Sequence, residues 1–118
     1  QCETTARLLA EAMGWDNRQW MVSFQSRFGP EAWLEPYTDE VIKSLPQQGV
    51  KHPLIITPGF VADCVETLNE LGLEGREQFV EGGGDAEGYS VAPCLNDTPG
   101  WLDCLAALVE ENARGWSG

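Results

Sequence analysis

The chain has 118 residues, 42% of them hydrophobic, which is enough to bury a core within one domain and argues against disorder. Seven Lys and Arg face 19 Asp and Glu, a formal charge of -12 that repels nucleic-acid phosphate and anionic lipid and suits cations or plain solubility. The apolar runs fall far short of the roughly 20 residues needed to cross a bilayer, so no nucleic-acid partner and no transmembrane segment is expected.

In chain order, "QCETTARLLAEAMGW" is too polar at its start for a secretory signal, and its first residue reads as a cut end. It is expected to form an amphipathic helix with Ala6, Leu9 and Met13 on one face and Gly14 as its stop. "QWMVSFQ" reads as a short buried strand, followed by the turn-rich "SRFGPEAWLEPY". Thr38 is placed to cap a helix with Asp39 and Glu40 in its first turn, favourable against the helix dipole, and with Val41, Ile42 and Leu45 inward. Pro46 should end that helix, because proline disfavours helical geometry in the residue before it. "VKHPLIIT" is the second strand, with Pro53 near its start or at an edge because proline has no N–H for the ladder. "PGFVA" leads into the acidic helix "DCVETLNELGLE", which "REQFVEGGG" continues or restarts and ends in glycines. "YSVAP" is a third strand with "CLND" as its exit loop. Thr98 and Pro99 then open a last helix whose Trp101, Leu105 and Leu108 share a face expected to be buried.

The order αβαβ(α)βα argues for an α/β domain in which helices cover both faces of a parallel sheet. Ligands in such folds collect outside the carboxyl ends of the strands. Three exit loops, "FQSRFGPEAW", "TPGFVADC" and "APCLNDTP", are therefore expected along one edge. That edge offers Trp33 and Phe60 as flat apolar surfaces, Ser26 and Arg27 as polar handles, and the start of the acidic helix. Its Asp63, Glu66, Glu70 and Glu74 are spaced three, four and four residues apart, along one drifting helical face. Either this stripe faces water or it serves cations. Two unit charges about 4 Å apart interact by about 4 kcal/mol at an effective dielectric near 20, so an enclosed stripe would retain a proton or bind a cation. Steps of four residues drift by about 40° each on a regular α-helix, and a widening towards π geometry would straighten the file. Aromatic surfaces beside acids suit a planar, largely apolar ligand that must meet a cation or surrender a proton.

Other motifs are less informative. Cys2, Cys64, Cys94 and Cys104 form no CxxC, and are expected as reduced, mostly buried thiols of a cytoplasmic protein. His52, the only histidine, precedes the second strand and so belongs to the opposite edge, which leaves no Ser, His and Asp catalysis at the proposed site. The glycines at 82–84 lack the Lys-Ser/Thr of a phosphate loop and read as a helix stop.

Three stretches, "SFQSRFGPEAWLEPYTDEVIKSL", "TPGFVADCVETLNEL" and "APCLND", resemble consecutive motifs of the carboxyl-terminal half of ferrochelatase, the enzyme that inserts ferrous iron into protoporphyrin IX in heme biosynthesis. The form "QSRFGPEAWLEPYTDE" is similar to the Gram-negative type, which implies protoporphyrin rather than coproporphyrin as substrate. The resemblance implies a chelatase-like, Rossmann-like half, a three-layer sandwich with a parallel sheet flanked by helices. It makes Glu66 the counterpart of the family's active-site glutamate. Asp63, Glu66, Glu70 and Glu74 match an acidic file that conducts metal in or protons out, and Trp33, Phe60, Ser26 and Arg27 match positions near the macrocycle. Iron is then a substrate, with no organic cofactor and, without a cysteine-rich tail, no [2Fe-2S] cluster. The sequence departs from the family at Pro46, at Pro53 and in "GGGDAEG". It also lacks the upstream histidine motif and the amino-terminal domain forming the other wall of the cleft, so the piece alone is expected to be inactive. Membrane contact, in the family, comes largely from that missing half. The alternative is a non-catalytic domain of the same shape that binds a tetrapyrrole or a metal.

Overall fold

The computed structural model describes residues 1–26 and 29–116. Helix α1 (Cys2–Met13) ends where Gly14 takes a left-handed φ of 71°, a conformation glycine adopts without steric cost. Helix α2 (Thr38–Ser44) stops one residue earlier than Leu45 and passes into a 3₁₀ turn, Leu45–Gln48, with Pro46 in its first turn. Thr38 does not cap it by side chain; Tyr37 holds the cap position, and the Thr38 hydroxyl donates to Ser23 Oγ at 2.9 Å.

Strand β1 (Leu54–Ile55) lies parallel to β2 (Ser90–Val91), with Leu54 opposite Ser90 and Ile55 opposite Val91. Pro53 sits immediately before β1, where its carbonyl accepts the Ser90 N–H at 3.1 Å and its missing N–H costs no ladder bond. Between the strands run a π-helix, Glu66–Glu74, and helix α3 (Gly75–Glu81), so the unit is a parallel crossover. Helix α4 (Pro99–Asn112) follows Thr98 as its N-cap.

The expected first strand is not formed. Phe24 makes only an isolated parallel bridge to Tyr37, through Phe24 N–H to the Pro36 carbonyl and Thr38 N–H to the Phe24 carbonyl. An apolar, β-branched run becomes a strand only beside a ladder, and this one is paired with the approach to α2 instead of with β1 or β2.

The core is Ile42, Leu45, Leu71, Phe79 and Tyr89, flanked by Val41, Ile55 and Val91. Phe79 and Tyr89 rings meet at 5.7 Å between centroids. Tyr89 donates its hydroxyl to the Leu71 carbonyl at 2.8 Å, tying the core to the middle of the π-helix. Helix α4 has no buried residue, and Leu105 and Leu108, expected inward, are 37% and 46% exposed. Cys94 is buried and Cys64 half-buried, but Cys2 and Cys104 are exposed, against the expectation for most of them; all four are free thiols. Both exposed thiols lie on α1 and α4, helices that contribute nothing to the core cluster.

Candidate functional site

Asp63 fastens the entrance to the π-helix. Its N–H donates to Asn96 Oδ1 at 2.9 Å, and Asn96 Nδ2 returns a bond to Asp63 Oδ2 at 2.7 Å. Asn96 stands at φ 48°, a left-handed conformation that asparagine tolerates better than most residues, and donates its own N–H to the Val61 carbonyl at 2.8 Å. The exit loops of β1 and β2 are thereby joined. Thr67 Oγ1 reaches Asp63 Oδ1 at 3.1 Å and accepts the Cys64 N–H at 2.9 Å, closing the first turn. The Asn96 amide, followed by the Cys94 thiol, holds the Asp63 carboxyl below its usual range. The Cys64 thiol, with the residue's own amide, does the same for Glu66.

From that entrance the acids run along the π-helix. Hydrogen bonds from residue i to i+5, as from Gly75 N–H to the Glu70 carbonyl, widen each turn and counter the α-helical drift of a four-residue step. Glu66 is half-buried. Gln25 Nε2 donates to the Glu66 carbonyl at 3.2 Å and to Glu70 Oε2 at 2.9 Å. Glu74 accepts from Asn69 Nδ2 at 2.7 Å. Glu70 and Glu74 line a hollow of about 320 Å³ together with Ser26, Tyr37, Asp39 and Glu40. Among the described residues, no three His, Cys, Asp or Glu converge as a metal-holding group. The carboxylates form a series, with Asp63 committed to the loop joint, Glu66 between, and Glu70 with Glu74 in the hollow.

The loop that follows the Phe24 bridge reaches the same helix through Gln25, whose carbonyl accepts the Trp33 indole N–H at 3.0 Å. Trp33, 40% exposed, is thus one residue away from Glu70 in the hydrogen-bond chain. Phe60 is half-buried in a turn closed by its N–H to the Thr57 carbonyl at 2.9 Å. Neither ring lines the hollow. Ser26 does, turned by a φ of 59°; Arg27 lies outside the described residues. His52 is exposed ahead of β1.

Sequence reasoning missed Gln25, Asp39, Glu40 and Asn96. Asp39 and Glu40 carried a sufficient local explanation as first-turn acids of α2, which hid their place in the hollow lined by Glu70 and Glu74. Gln25 and Asn96 belong to two of the motifs, but a neutral amide signals nothing until its partners are known.

Fold and edge together define a class: an α/β domain whose parallel crossover carries a file of carboxylates on a π-helix beside an exposed tryptophan. The family model described as ferrochelatase matches residues 1–113. The chain is 55% identical over 116 residues to a ferrochelatase of Marinobacter nauticus, covering 98% of this chain and 31% of the relative. It is 51% identical to a ferrochelatase of Neisseria meningitidis and 49% identical to ferrochelatase 1 of Shewanella oneidensis, each over 98% of this chain and 34% of the relative. The chain belongs to the ferrochelatase family, and it spans about a third of the length of these curated relatives.

Proposed function

We propose that this chain is a single domain, the carboxyl-terminal domain of a protoporphyrin ferrochelatase. The whole polypeptide inserts ferrous iron into protoporphyrin IX, a lyase reaction at the end of heme biosynthesis, in the cytoplasm. The observation that carries the reading is the π-helix, Glu66–Glu74, which begins and ends on a carboxylate and holds a third at Glu70. Widened helices of this kind occur frequently at functional sites.

In this reading Glu66 accepts pyrrole N–H protons, two of which leave as one iron enters, so that charge balances. It is ionised at neutral pH and can accept a proton, although the hydrogen bonds that lower its pKa make it a weaker base than an ordinary glutamate. Glu70 and Glu74 relay cations or protons between Glu66 and the hollow, with Asp63 anchoring the head of the file. Single carboxylates in series favour passage over storage, because oxygen ligands hold first-row ions less tightly than thiolates do. Trp33 and Phe60 lie against the macrocycle, and Ser26 and Arg27 are its polar handles. Bending the ring draws about 1 to 5 kcal/mol from binding. Iron is cargo; no organic cofactor and no [2Fe-2S] cluster enters the scheme. The remaining domain supplies the other wall of the cleft and brings the membrane contact, so the isolated chain is inactive.

Glu66→Gln in the full-length polypeptide tests this. Zinc or iron insertion is expected to fall by about a hundredfold or more, the scale of a lost general base, with porphyrin binding retained. An unchanged rate removes Glu66 from the chemistry.

A further inference from the structure

A single residue touches both halves of the proposed site. The Gln25 side-chain amide faces two oxygens, the Glu66 carbonyl at 3.2 Å and Glu70 Oε2 at 2.9 Å, so it presents its nitrogen to the helix. The main-chain carbonyl of the same residue holds the Trp33 indole at 3.0 Å. Glu70 shares its hollow with Asp39, Glu40 and Glu74, whose like charges push its carboxylate away, and the half-buried Gln25 supplies a donor against that repulsion.

We propose that Gln25 is a positioning residue that sets the distance between the aromatic wall and the acidic file: its amide seats the Glu70 carboxylate on the π-helix, and its carbonyl seats the Trp33 ring. The inference rests on the metal-insertion reading and goes beyond it by assigning that spacing to a neutral residue outside the helix. Gln25→Met keeps the length of the side chain and removes the donor. Glu70 then loses its seat, and the anchor that steadies the Gln25 carbonyl against the indole N–H is lost with it.

The test uses the full-length polypeptide with protoporphyrin IX and either ferrous iron or zinc. Gln25→Met is expected to lower kcat/KM for the metal by roughly ten- to a hundredfold, as loss of a partner that orients a metal ligand does, and to change the porphyrin KM far less. Because Gln25 acts through Glu70, the Gln25→Met/Glu70→Gln double variant should be no slower than Glu70→Gln alone. The Trp33 indole N–H, identified in the 15N spectrum by its loss in Trp33→Phe, should exchange faster with solvent in Gln25→Met. Metal kinetics within about twofold of the parent, or losses that multiply in the double variant, overturn the proposal. If Gln25→Met does not fold, Gln25→Glu carries the same test: a carboxylate facing two oxygens should lose at least as much, and parent-like rates overturn the proposal. If the unaltered polypeptide inserts neither metal, the functional reading fails by itself. Indole exchange then decides Gln25 separately, faster exchange supporting the positioning role and unchanged exchange overturning it.

Discussion

Asn96 shows how one amide on a loop organises charged neighbours. It donates to Asp63 Oδ2, accepts the Asp63 N–H and lowers the carboxyl pKa. A depressed folded pKa contributes stability above the unfolded value and loses it as pH falls through the folded one. For Asp63 and Glu66 that contribution is complete above their ordinary values of 3.8 and 4.5 and fades on acidification below them. Asn96→Ala should therefore lower the melting temperature at pH 7, and the gap to the parent should narrow by pH 3. A gap independent of pH would mean that Asn96 stabilises the loop without Asp63. Tyr89 works with the opposite sign: burial pushes its phenol up to about 12 from 10.0, so its stabilisation is complete below pH 10 and lost as pH rises through about 12. Absorbance titration should show one tyrosine ionising only as the protein unfolds. A Cβ at Gly75 would lie 2.4 Å from the Tyr89 hydroxyl. Alanine favours a helix over glycine by about 1 kcal/mol, but overpacking costs about 1 to 3 kcal/mol, so Gly75→Ala should destabilise on balance in urea unfolding. Adding Tyr89→Phe removes the phenol oxygen and should recover part of that loss; strict additivity would count against the clash.

At the scale of elements, the π-helix is the unit that turns sequence spacing into a site. It is held from outside by Asn96 at Asp63, just ahead of its first turn, by Gln25 at Glu66 and Glu70, and by the Tyr89 hydroxyl at the Leu71 carbonyl in its middle. These supports come from two loops and the core, and none could be read from the helix alone. The acid spacing was legible, and so was the condition that π geometry would straighten the file. The first strand was misread because "QWMVSFQ" has strand composition, whereas pairing depends on which backbone lies beside it; here that is Pro36 to Thr38.

At the scale of the whole molecule, the radius of gyration is 17.0 Å, against about 13.5 Å for a compact chain of this length. Extents of 59 × 37 × 24 Å match a core with uncovered helices. Helix α4 keeps the amphipathic spacing of Trp101, Leu105 and Leu108, but Leu102, Leu105 and Leu108 remain exposed. Amide exchange in the isolated chain should be fast throughout α4 and slow around Ile42, Leu71 and Phe79, and α4 should gain protection in the full-length polypeptide. Equal protection of α4 in both would show that this chain covers the helix by itself. No helix of the described residues is long and apolar enough to cross a membrane.

The sequence alone determined what depends on near neighbours: helix stops at Gly14 and the 82–84 glycines, the end of α2 ahead of Pro46, Thr98 before Pro99, and the periodic acids from Asp63 to Glu74. Propensity, capping and spacing act within a few residues, and they are written in the order of the chain. Tertiary structure decided what depends on groups far apart in that order. It chose Asn96 as the partner of Asp63, set Gln25 between Trp33 and Glu70, brought Asp39 and Glu40 to the hollow that Glu70 and Glu74 line, and left α4 with no buried residue. A hydrogen bond or a buried face is a property of two surfaces, and one stretch of sequence specifies only one of them.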